Sequence, residues 1–193
     1  LGGVSYAQAA RKHGTWALGL QFAGYGTMKQ TDATGVITGS FSPKDILLNG
    51  LYAHDITSSL RGGIQAKLLY SSYESYTALA MFFDLGINYY HAEKELSLSL
   101  VVKNLGGQLK KYDTENIAMP WDIQLGFSKT LHNVPFRFSI TAQHLTRWHL
   151  PFEKVNDAGE LEVKDNFASN LFRHLVFGVD YIPSRNFYLA VGY

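Results

Sequence analysis

The chain has 193 residues, 46% of them hydrophobic, which suits one large domain and excludes general disorder. Its 17 basic residues against 16 acidic ones argue against a nucleic-acid partner, and the absence of cysteine removes disulfide frameworks and thiolate metal sites. No apolar run approaches the roughly 20 residues of a membrane-spanning helix, whereas a mean hydropathy of -0.08 leaves room for a transmembrane β-barrel, in which lipid-facing and lumen-facing residues average out.

The chain opens at Leu1 with no Met, charged n-region or apolar h-region, so any export signal is expected to precede it. From there about eleven segments alternate with the period of a strand: 3–10, 15–28, 36–42, 46–55, 60–71, 77–90, 96–104, 121–131, 136–146, 171–181 and 187–193. No segment of helical period competes with them. In 15–28, Trp16, Leu18, Leu20, Phe22 and Met28 alternate with Ala17, Gly19, Gln21, Ala23 and Thr27. Segments 60–71 and 77–90 turn around Glu74 and Ser75, placing Ile64, Ala66, Leu68 and Tyr70 on one face with Leu79, Met81, Phe83, Leu85 and Ile87. In 136–146, Phe136, Phe138, Ile140 and Ala142 alternate with Arg137, Ser139, Thr141 and Gln143.

Two architectures generate this pattern. In a soluble sandwich the apolar face packs on a core; in an outer-membrane barrel it meets lipid and the polar face lines the lumen. Three features favour the barrel. Several segments run about ten to fourteen residues, long enough for a tilted membrane crossing and longer than most soluble strands. The short connections "DITSS", "HAEKE", "HNVP" and "PSRN" fall on one end, and the long ones, 106–120 and 147–170, on the other. Aromatics gather near segment ends: Tyr70, Tyr73, Tyr76, Trp121 and Trp148 toward the long loops, Tyr89, Tyr90, Phe136 and Tyr181 toward the short turns.

Lys67 and Asp84 lie about equally far from the turn at Glu74 and share the polar face, where they are expected to oppose each other. Toward lipid such charges cost several kcal/mol, roughly 2–4 for a Lys at the midplane. The polar face therefore reads as a lumen ladder of Gln21, Arg61, Gln65, Lys67, Asp84, Asn88, Lys103, Gln124, Arg137 and Gln143. It serves either as a solute path or as a network that fills the interior. Its mixed signs speak against a strongly ion-selective pore.

Motifs for chemistry fail. His144 and His149 flank a strand end with no third ligand near them in sequence. The fragment "GYGTMK" has two glycines of a phosphate loop and no helix after it. Asp32, Asp45, Glu93 and Glu95 read as turn residues rather than acid–base catalysts. No enzyme, metal or cofactor is expected.

The ordered series "YGT", "GSFSPKD", "YSSYESY", "DLG", "KNLGGQLKKY" and "NVPFRFSIT" resembles the PorQ-type outer-membrane components of the type IX secretion system of Bacteroidota, in the PorV and FadL-like barrel family. The resemblance covers essentially the whole chain. It implies an antiparallel transmembrane β-barrel of about fourteen strands, of which residues 1–193 would be a single domain lacking both ends. It also implies residence in the bacterial outer membrane and a scaffold role, holding a PorZ-like surface protein alongside PorU- and PorV-like components of the cell-surface attachment complex. The PorU-like member is the protease of that complex. A FadL-like transporter of long-chain fatty acids or other hydrophobic molecules is the alternative. The long loops, with Lys111, Tyr112, Trp148 and Phe152, are the expected partner-facing surface.

Overall fold

The computed structural model describes residues 1–10, 14–74, 76–110, 120–150, 153–155, 161–163, 166–184 and 187–193. In chain order the elements are β1 (Gly2–Ala10), β2 (Gly14–Gly24), β3 (Met28–Thr31), β4 (Ile37–Phe41), β5 (Lys44–Asp55), β6 (Leu60–Tyr73) and β7 (Tyr76–His91). There follow β8 (Leu96–Lys110), β9 (Asp122–Thr130), β10 (Phe136–Ala142), β11 (Glu153–Val155), β12 (Leu161–Val163), α1 (Phe167–His174), β13 (Leu175–Ser184) and β14 (Phe187–Gly192).

Ten of the strands make one antiparallel sheet in the order β1-β2-β5-β6-β7-β8-β9-β10-β13-β14. Neighbours in the sheet are neighbours in the chain except where a hairpin (β3–β4) or a ribbon (β11–β12) with α1 is inserted. This is the short-connection meander that antiparallel strands permit. β1 and β14 are the ends of the strand order among the described residues.

Several expectations need correction. The segment 15–28 breaks into β2, which ends at Gly24, and β3, which opens at Met28. The segment 136–146 stops with β10 at Ala142, leaving Gln143 beyond it, and the long connection from 106 starts later, since β8 runs to Lys110. The segment at 36–42 is a strand, but it pairs with β3 outside the main sheet. Residues 171–174, expected to open a strand, end the helix α1 instead. Asn166 caps this helix, its Oδ1 accepting from the Ser169 N–H at 2.7 Å, and Arg173 and His174 sit in the last turn, where the helix dipole favours positive charge. No helix among the described residues is long and apolar enough to cross a membrane, a statement that does not bear on strands.

The chain divides into two compact units, one of Leu1–Asp55, Gly62–Leu85 and Lys103–Trp121, the other of Ile56–Arg61, Gly86–Val102 and Asp122–Tyr193. In the first, Val4 and Leu48 both oppose Leu20, on a face where all three are exposed. Apart from Pro43, the buried apolar side chains among the described residues are Ala78, Ala80 and Phe82. They alternate along β7 with exposed Met81 and Phe83, and half-buried Asp84 continues the same face. In the second unit, Phe136 opposes Tyr181, Phe138 opposes Val179 and Ile140 opposes Phe177, all exposed. Arg137 opposes Asp180 and Ser139 opposes Gly178 on the other face. The polarity is reversed from that of a soluble domain, where apolar strand faces are the buried ones.

Candidate functional site

The polar face of the first unit is organised by Asp84. Its Oδ2 pairs with Lys67 Nζ at 2.8 Å, as their shared polar face on either side of the Glu74 turn leads one to expect, with side-chain exposures of 13% and 15%. Its Oδ1 accepts the backbone N–H of Asn104 at 2.8 Å. Asn104 closes the triangle, its Oδ1 accepting from Lys67 Nζ at 2.8 Å, while its Nδ2 reaches the Pro120 carbonyl at 3.4 Å. One carboxylate, one ammonium and one amide thus satisfy each other across β6, β7 and β8.

Sequence reasoning missed Asn104. Its φ of 58° lies in the left-handed region, which Asn tolerates better than most residues, and this kink takes its side chain out of simple alternation. The signal was the Asn in "KNLGG", followed two residues on by Gly106. At Gly106 a Cβ would stand 2.1 Å from the Met81 carbonyl oxygen, so the close approach of β8 to β7 requires glycine.

Other ladder residues of this unit are less engaged. Gln21 is exposed on β2 beside Gly3, whereas Gln65 and Lys103 are half-buried on β6 and β8. Asp45, read from sequence as a solvated turn residue, lies in β5 and accepts two hydroxyls, from Tyr25 at 2.6 Å and from Ser71. At the same loop-side end, Lys110 Nζ donates to Thr77 Oγ1 at 2.6 Å, and Gln30 donates to the Glu74 carboxylate.

In the second unit, Asn88 Nδ2 donates to Ser97 Oγ at 2.7 Å, and Arg137 Nε pairs with Asp180 Oδ2 at 2.6 Å. Arg61 is exposed. Gln124 donates to Asp122 Oδ2 at 3.2 Å, and the same oxygen accepts the His144 N–H at 3.0 Å. Asp122 Oδ1 is buried without a hydrogen-bond partner. Gln143 contributes its backbone, its carbonyl meeting His174 Nδ1 at 2.8 Å and its N–H the His174 carbonyl at 2.8 Å.

Of the four expected loop residues, Lys111, Tyr112 and Phe152 lie outside the described residues. Trp148 is half exposed, and it is also built into the fold. Its ring stacks on His174, centroids 4.9 Å apart and planes 9° apart, and its carbonyl accepts from Asn170 and lies 2.9 Å from His174 Nε2. Phe167, on the first turn of α1, is 71% exposed and lies 6.1 Å from Trp148.

Among the described residues no group of three or more His, Cys, Asp or Glu converges to hold a metal ion. The geometry of the triangle is that of a charge-neutral brace: each charge faces a partner, which lowers the cost of burial and leaves no excess charge to direct an ion. No family model matches this chain, and no curated protein matches it.

Proposed function

We propose that this chain belongs to a transmembrane β-barrel of the bacterial outer membrane that serves the type IX secretion system as a scaffold for the cell-surface attachment complex, without turnover of its own. The observation that carries the membrane half of this reading is the reversed polarity of the sheet. Met81, Phe83, Leu85, Ile87 and Tyr89 are exposed along β7, while Asp84 and Asn88 on its other face are half-buried and hydrogen-bonded. Hydrocarbon stabilises the first set, and a lumen accommodates the second. The secretion half rests on the resemblance of the sequence motifs to PorQ-type proteins. The exposed Trp148 and Phe167, held by α1 on the loop side, supply aromatic anchors of the kind protein partners use.

A second reading has its own observation. Ala78, Ala80 and Phe82 form an apolar stretch on the buried face next to Asp84, as a FadL-like carrier of fatty acids or other hydrophobic molecules would need. Capture of the full-length tagged protein from detergent-solubilised outer membranes, with co-purifying proteins identified by mass, separates the two. PorZ-, PorU- and PorV-like proteins are the expected result. A lone barrel carrying fatty acid would move the function to transport, and a protein that folds without detergent would overturn both readings.

A further inference from the structure

A groove of about 500 Å³ runs in the apolar face of the second unit. Its walls are Ile87, Leu98, Leu100, Leu125, Phe127 and Ile140, and Ala142 is the small residue that leaves room among them. The volume falls within the roughly 300–1,000 Å³ of small-ligand sites. Leu60 and Tyr89 mark the end near the short turns, since β6 starts at Leu60 and β7 ends two residues after Tyr89.

Along β9 the face that carries Leu125 and Phe127 continues to Lys129, which opposes Phe138. A cation therefore stands on an apolar face, one strand step beyond the groove wall. Lys129 is next to the last residue of β9, the interfacial depth at which a lysine on a lipid-facing strand is tolerated. Its Nζ donates to the Lys94 carbonyl, one of the three donors an ammonium carries. Glu93 and Glu95 share the turn with Lys94 and leave it with a formal charge of -1, so Lys129, one alternation step beyond Phe127, is the cation on the strand that forms this wall of the groove.

An apolar slot with a cation at its interfacial end matches a molecule with a hydrocarbon chain and an anionic head. We infer that the groove holds one acyl chain of an anionic phospholipid, with the phosphate at Lys129. The short-turn end, which in such barrels faces the periplasm, places this lipid in the phospholipid leaflet. The inference rests on the membrane reading of the protein.

The test is native mass spectrometry of the full-length barrel, released from mixed micelles containing phosphatidylglycerol or phosphatidylcholine. Wild type is expected to retain one phosphatidylglycerol in preference to phosphatidylcholine. Lys129→Gln should reduce that preference about fivefold, which corresponds to the roughly 1 kcal/mol a basic residue contributes at an anionic surface. Ala142→Phe, and Leu98→Trp from a different strand, should lose the retained lipid while keeping the heat-dependent gel shift of a folded barrel. Equal retention by wild type and all three variants would overturn the inference, as would a wild-type barrel that retains none. A protein that stays folded in water and does not insert into vesicles would fail the membrane reading itself, whereas one that inserts but retains no lipid fails the groove alone.

Discussion

Asp84 is held by donors from two neighbouring strands, the Lys67 ammonium on β6 and the Asn104 N–H on β8. At 13% and 15% side-chain exposure, water is poorly placed to replace either member of the ion pair. Lys67→Leu is therefore expected to cost about 3 kcal/mol, the usual scale for orphaning one half of a buried pair. Lys67→Leu combined with Asp84→Leu should recover part of that loss, because apolar side chains often match a buried ion pair in stability. Urea unfolding of the protein in lipid vesicles reads both, and a single variant as stable as wild type would separate Lys67 from Asp84. The pair was legible in the sequence because both residues fall on the polar face of their strands, within ten residues of the Glu74 turn. Asn104 was not, because alternation assumes extended backbone and its φ is 58°. Away from the long strands, Asp32 Oδ1 accepts from the Thr34 hydroxyl at 2.7 Å and from the Val36 and Thr34 N–H groups at 2.9 Å each. The Thr34 hydroxyl, followed by the Val36 N–H, holds this carboxyl below its ordinary value of 3.8. Because the folded value is the lower one, the contribution to the β3–β4 turn is complete above the unfolded value and is lost as pH falls through the folded one. The amide proton resonances of Thr34 and Val36 should titrate below pH 3.8; a midpoint at or above it would show that these bonds do not hold the charged form.

At the scale of elements, α1 is too short to persist by its own propensity and depends on its contacts. His174 is 1% exposed, with its two ring nitrogens against the carbonyls of Gln143 and Trp148, so it ties both ends of the 143–148 segment to the helix. His174→Ala would take the ring from both carbonyls; that of Trp148 keeps its Asn170 donor, so the loss of about 1–3 kcal/mol falls on the Gln143 carbonyl. Limited proteolysis between Gln143 and Asn166 is expected to accelerate while the sheet survives; an unchanged cleavage rate would mean that the segment is held elsewhere. Gly106→Ala tests a different element contact. Its Cβ would meet the Met81 carbonyl oxygen at 2.1 Å, whereas a Cβ at neighbouring Gly107 meets nothing within 4 Å. Gly106→Ala should cost about 1–3 kcal/mol by overpacking β8 against β7, and Gly107→Ala should be the mild control in the same unfolding assay. Equal effects would deny the close approach. Strands were the most legible elements, because period-two alternation is a direct imprint of facing. The helix escaped because eight residues between a loop and a strand carry too few turns for a periodic signal, although Asn166 followed by Ser169 was a readable cap. The 36–42 segment shows the other limit: alternation identifies a strand but does not say which partner it pairs with, and here the hairpin partner β3 prevailed over the main sheet.

For the whole molecule, alternation alone leaves the sense of inside open, since a soluble sandwich and a membrane barrel share it. What separates them is the medium that meets the apolar face, and substitutions graded by depth read that medium directly. Phe83 lies near the middle of β7 and Tyr90 near its short-turn end, and both are exposed. If the face meets water, Phe83→Lys and Tyr90→Lys are surface changes expected to stay within about 0.5 kcal/mol. If it meets hydrocarbon, Phe83→Lys should destabilise by about 2–4 kcal/mol and Tyr90→Lys by only about 0–1, because the penalty for a lysine falls from midplane to interface. The ratio between the two positions matters more than either value, since general damage to packing has no reason to follow depth. Reversible unfolding in phospholipid vesicles gives both numbers. A steep profile places this face of β7 in the bilayer and makes the Lys67–Asp84–Asn104 brace the interior of a barrel. A flat one would leave the exposed aromatic and aliphatic rows as a docking surface for protein, and the search for function would move from the membrane to whatever chain covers them.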